Sequence, residues 1–127
     1  GMTMGFRKID AREFSYGSID DDPCVTIGKG RIYLNAPATS LIGINVERVD
    51  VYIDEKNSKL AIKPTDKNDA STFKLIKGSK GHLGRNINSK KLVKDLRGVN
   101  ANITERFKAE WNDIEGWLEV DLLKPLT

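Results

Sequence analysis

Apolar residues in this chain alternate with polar ones over short stretches, and the stretches form two similar series. Val25 and Ile27, then Ile32 and Leu34, carry the period of two that marks strands with one buried face. Gly28-Lys29-Gly30 between them reads as a tight hairpin turn. Residues 36–42 follow as a short helix. Asn35 is a suitable N-cap, Pro37 lies in the first turn where its missing N–H is tolerated, and Gly43 stands just past the end. Val49, Val51 and Ile53 resume the alternation, residues 54–59 turn, and Leu60 and Ile62 return as a partner strand.

The second series repeats this order. Phe73 and Leu75 lead into a longer turn, Gly78-Ser79-Lys80-Gly81-His82-Leu83-Gly84, after which Arg85-Asn86-Ile87 reads as a strand. Residues 89–96 are helical by pattern, with Leu92, Val93 and Leu96 on one face and Gly98 at the end. Phe107, Ala109 and Trp111 alternate, residues 112–116 turn, and residues 117–122 close a hairpin. Gly30-Arg31 and Gly84-Arg85 both introduce a second strand, so a strand–strand–helix–hairpin unit occurs twice. A unit of about 40 residues buries its apolar face poorly alone, and two can cover each other. The expected fold is therefore α+β and β-rich: two repeats, about 24–65 and 72–123, packed as a pseudo-two-fold, barrel-like single domain. That domain takes residues 23–127, with 66–71 as a polar link between the repeats. Residues 1–22 form an N-terminal arm in which Phe6, Ile9 and Phe14 could share one side. The run Asp20-Asp21-Asp22-Pro23 marks a turn and lacks the alternating ligands and glycine of a calcium loop.

Composition narrows the classes. The chain has 127 residues, 39% hydrophobic and 31% charged, enough apolar material for one core. No apolar run approaches the ~18 residues of a membrane span, and no signal peptide is evident, so a cytoplasmic setting is expected. Cys24 is the sole cysteine and His82 the sole histidine, which excludes an intrachain disulfide and poorly supplies a Cys/His metal cage or dyad. No cofactor is called for.

Charge changes the picture more. The net charge is +3, yet residues 1–65 are neutral overall, with nine basic and nine acidic side chains. Residues 74–97 carry Lys74, Lys77, Lys80, Arg85, Lys90, Lys91, Lys94 and Arg97 against Asp95 alone, a local +7. Such a stretch is a candidate footprint for phosphates. The blander reading is a solvated face balanced in space by Glu105, Glu110 and Asp113.

Gly30-Arg31-Ile32-Tyr33-Leu34-Asn35, a short helix ending Leu41-Ile42-Gly43-Ile44, and the hairpin over residues 49–64 resemble the AbrB/SpoVT swapped-hairpin family of bacterial DNA-binding domains. The likeness covers about residues 25–64, with a weaker second copy from Gly84-Arg85 to Leu122. It implies two interlocked copies in one barrel-like domain, with basic residues near the strand–helix junction touching DNA. The chain departs from the family at Asn35 and Asn88, where proline is usual, and in a first helix without Lys or Arg.

Nucleic-acid binding is accordingly the leading expectation, in a transcriptional regulator or accessory DNA-binding factor. Arg31 and Arg85 would present guanidinium forks to phosphates or base edges, Lys29, Lys77 and Lys80 would add point charges, and Lys90, Lys91 and Lys94 would extend the contact. Gly78, Gly81 and Gly84 would let the loop backbone approach a phosphate. Duplex DNA is favoured ahead of single strands. Tyr33, Tyr52, Trp111 and Trp117 suit base stacking, although packing is the commoner use of aromatics beside strand turns. No phosphate-loop ending and no Gly-x-Ser-x-Gly elbow occurs, so an enzyme is not expected. The competing class is a non-enzymatic interaction module that uses exposed hairpin edges, self-association included.

Overall fold

The computed structural model describes residues 5–9, 22–78 and 83–126. In chain order the elements are β1 (Cys24–Gly28), β2 (Arg31–Leu34), α1 (Ala36–Ile42), β3 (Arg48–Asp54), β4 (Lys59–Thr65), β5 (Phe73–Lys74) and β6 (Ile76–Lys77). There follow β7 (Arg85–Asn88), α2 (Lys90–Arg97), a 3-10 turn (Gly98–Asn100), β8 (Glu105–Asn112) and β9 (Trp117–Pro125). All nine strands join one antiparallel sheet in the order β5-β3-β4-β9-β8-β1-β2-β7-β6. Its two outer strands, β5 and β6, are separated in the chain only by Leu75, so the sheet curls into a nearly closed barrel. Closure leaves only two-residue strands at the seam, which shortens the edge available for strand addition.

Local chemistry explains why the elements start and stop where they do. Lys29 (φ 52°) and Gly30 (φ 79°) are both left-handed, the conformation of a two-residue hairpin whose twist matches its strands. Asn35 does three things at once: its Oδ1 accepts from Ala38 N (3.1 Å) and Cys24 N (3.0 Å), and its Nδ2 donates to the Asp22 carbonyl (2.8 Å). An asparagine thus caps α1 and pins the start of β1, work that a proline could not do. Ser89 caps α2 through Leu92 N (3.1 Å), and the backbone N–H of Gly98 closes the helix on Lys94.

Alternate strand residues fill the barrel. Val25, Ile27, Ile32, Leu34, Val49, Leu60, Ile62, Ile87, Phe107, Leu118 and Val120 are buried, with Val93 of α2 and Ala38 and Ile42 of α1 covering openings. The alternation read from the sequence is therefore the core. The stretch that Phe73 and Leu75 open forms two short strands, because Leu75 turns inward between two separate pairings. In the arm, Phe6 and Ile9 are exposed, while Phe14, Asp20 and Asp21 lie outside the described residues. Among the described residues no helix is long and apolar enough to cross a membrane.

Gly84 is needed for space. A Cβ there would lie 2.6 Å from the Leu34 carbonyl oxygen and strike the Tyr33 ring. Gly84→Ala is expected to lose about 1–3 kcal/mol of stability, read as a lower urea midpoint with unchanged slope.

Candidate nucleic-acid interface

The β1–β2 turn and the start of α2 build one cationic corner. The Ser89 N–H donates to the Gly30 carbonyl (2.9 Å), and Lys29 N donates to the Ala101 carbonyl (3.1 Å). Where Gly30 lacks a side chain, Lys90 Cγ fills the space, 2.8 Å from the position of a Cβ. Arg31 stands opposite Asn88, one residue before the Ser89 cap. Lys29, Arg31, Lys90 and Lys91 are thereby gathered, all four exposed, and no described acid forms an ion pair with any of them.

Lys90 and Lys91 are the first two residues of α2, and no acid occupies its first turn. A helix N-terminus carries partial positive charge, so lysines there are electrostatically disfavoured by a few tenths to about 1 kcal/mol each. A bound anion would reverse the sign of that term. Beside this corner the outer face of the sheet presents Arg106, Thr26, Tyr33 and Asn86 in one cross-strand row. All four are half-buried. Arg106, Thr26 and Asn86 were not among the expected contacts. Strand parity would have placed them on the outer face, but only once the pairing of β1 with β8 is known.

Arg85 departs from its expected role. It points into the barrel end, 9% exposed, and donates to the carbonyls of Leu83 (2.9 Å), Gly84 (3.1 Å) and Ile44 (3.3 Å). Arg31 lies on the outer face, so the two Gly-Arg pairs present their arginines to opposite sides of the wall. The turns that carry them also sit at opposite ends of the β2–β7 pair, about 10 Å apart along the strands. Arg85→Gln is expected to cost about 2 kcal/mol, since it removes charge-assisted bonds from three carbonyls at a buried site. Any binding of DNA by the folded fraction should keep its salt dependence, which separates this arginine from a phosphate contact.

The rest of the basic segment is dispersed. Lys77 is exposed beside Arg85, at the far end of β7 from Arg31. Lys74 is opposite Arg48, which donates to Thr72 Oγ1 (2.9 Å) and the Asp69 carbonyl (3.3 Å). Lys94 is exposed further along α2, next to Asp95. Arg97 pairs with Glu105 and lies 5.1 Å from the Phe107 ring centre. Lys80, with Ser79, Gly81 and His82, lies outside the described residues. Of the acids expected to balance this stretch, Glu105 takes Arg97 and Glu110 takes Lys108 (3.5 Å), leaving the corner around Lys29 uncompensated by them.

Three carboxyls are held below their ordinary range by hydrogen bonds: Asp54 by Asn57, Asp69 by Ser71, and Glu119 by Trp117 and Asn112. None lies in the cationic corner. Their stabilising effect is present above the unfolded carboxyl range and is lost as pH falls through the folded values. The urea midpoint should accordingly decline on acidification below about pH 4.

Trp111 packs against the core, as favoured for an aromatic at that position, and Tyr33 lies half-buried over Gly84. Tyr52 and Trp117 meet on the opposite wall, with ring centres 5.3 Å apart. No protein-family model, curated protein or solved structure matches this chain.

Proposed function

We propose that this protein binds duplex DNA through its phosphate backbone, as a transcriptional regulator or accessory DNA-binding factor. The observation that carries the reading is the corner formed by Lys29, Arg31, Lys90 and Lys91, four exposed cations with no described ion-pair partner. Two of them occupy the helix end that disfavours them, which is understandable where an anion docks. The neighbouring row of Thr26, Tyr33 and Asn86 supplies polar groups that a groove edge can meet.

The same reading takes the barrel as two interlocked swapped-hairpin copies of the AbrB/SpoVT kind. The pairings support it. The β1–β8 register of Val25 with Phe107 recurs between β5 and β3 as Phe73 with Val49. The β3–β4 hairpin has its counterpart in β8–β9, and β1–β2 in β6–β7. Like strands from the two halves meet as β2–β7 and β4–β9, and a two-fold axis would pass through the Ile32–Ile87 and Ala61–Glu119 pairs. Under that axis the counterpart of Arg31 is Asn86. The basic corner takes Lys29 and Arg31 from the first copy and Lys90 and Lys91 from the second, and α1 has no lysine or arginine to repeat it at the two-fold-related place, so the contact is asymmetric.

Fluorescence anisotropy with a labelled duplex tests the function. Binding should be readily detected at ~50 mM salt and fall by orders of magnitude towards 200 mM. Absence of binding at the lower salt rejects the reading. Equal affinity for a single strand of the same length would reassign the preferred form.

A further inference from the structure

The wall across the barrel from the basic corner carries a hollow that DNA binding does not use. Ala61 is its floor. On the outer face Tyr52, Ala61 and Glu119 stand side by side on β3, β4 and β9. Asp54, Lys59 and Asp121 form the next row. On the other side Asp50 faces Lys63, whose Nζ lies 5.8 Å from the centre of the Trp117 ring. A methyl group amid larger side chains leaves a depression of about 240 Å³, lined by Tyr52, Ile53, Leu60, Trp117 and the flanking polar residues. Tyr52 remains 47% exposed although its ring is tilted 39° against Trp117.

Glu119 is fixed through one of its two oxygens. Its Oε1 accepts from both Trp117 Nε1 (2.8 Å) and Asn112 Nδ2 (2.8 Å), and no described donor takes Oε2. Those two bonds, aided by Lys59, keep the carboxyl ionised. Asp54 at the other rim is also ionised, both of its oxygens being held by Asn57. The nine positions around Ala61 include four acids and two lysines, a local excess of negative charge on a protein of net charge +3.

We propose that this hollow binds the guanidinium of an arginine presented by a partner protein. A flat cation stacks on an exposed aromatic face such as that of Tyr52 more fully than a spherical ammonium does, and a carboxylate fixed through one oxygen offers the other to its N–H groups. The small floor admits the side chain's stem. The site lies away from the basic corner, so DNA and partner can be held together.

The test uses the full chain labelled with ¹⁵N and titrated with acetyl-Gly-Arg-Gly-amide, its citrulline analogue and its lysine analogue. The Trp117 indole N–H should shift saturably with the arginine peptide, with lysine weaker and neutral citrulline inert. Glu119→Gln keeps an oxygen for both internal bonds while removing the charge, and should weaken binding about tenfold. Ala61→Met, which fills the hollow, should abolish the shift while leaving the remaining spectrum folded. Citrulline binding as well as arginine, or Ala61→Met binding normally, overturns the proposal. So does a Trp117 shift driven by duplex DNA, which would mark a base-stacking site, or by protein concentration alone, which would mark a second copy. No shift with any peptide also overturns it.

Discussion

Phe107→Ala is expected to be the most damaging single substitution in the barrel, at about 3–5 kcal/mol. The ring is fully buried in β8 opposite Val25, among the largest side chains of the core. Its removal leaves a cavity that strands on both sides cannot collapse to fill, because each is fixed by pairing with two neighbours. A second loss comes with it. The Arg97 guanidinium lies against this ring, and its Nε has no partner among the described residues. Without the ring that buried charge loses its apolar cover and a cation–π contact. Urea unfolding followed by tryptophan fluorescence gives the measurement. Val99→Ala, at a position 98% exposed, is the neutral control.

The simultaneous reversal Lys29→Glu, Arg31→Glu and Lys90→Glu should produce the largest functional effect. These side chains are exposed, so stability should change little. Each phosphate contact on duplex DNA contributes close to one unit to the slope of log affinity against log salt. Losing three should flatten that slope by about 2.7 and weaken binding at ~50 mM salt on the order of a hundredfold or more. Lys74→Glu, Lys77→Glu and Lys94→Glu together carry the same change in charge at dispersed positions and should flatten the slope less. If the two sets behave alike, the corner is not the contact and only net charge matters.

Which parts of this molecule were readable in the chain follows from the range of the forces that set them. The Lys29-Gly30 turn, the Asn35 cap and the end of α2 at Gly98 are decided within a few residues, and the sequence declares them. The buried alternation in β8 and at the start of β9 is equally local. The matching of Arg31 with Arg85 failed for a different reason. A shared Gly-Arg pair suggests equivalence, but a shift of one residue in a strand exchanges inside for outside, and only the register with β2 decides it. Nor could the +7 stretch show how its charges would be placed: Arg85 turns inward, Arg97 pairs with Glu105, and the basic corner includes Lys29 and Arg31 from outside it. The hollow over Ala61 was illegible, because its walls come from three strands whose adjacency no local pattern encodes.

Leu75 holds the seam, and the way the seam is made bears on how the chain reaches its native state. Strands from distant parts of the sequence must meet to form it, as Val25 meets Phe107. Such distant pairings make for slow assembly, in milliseconds to seconds rather than microseconds. The two seam strands, β5 and β6, have one paired neighbour each, whereas none of the other seven can leave without opening a neighbour on both sides. Amide protons of the seven inner strands should therefore exchange with solvent together, as one unit, after those of the two short seam strands.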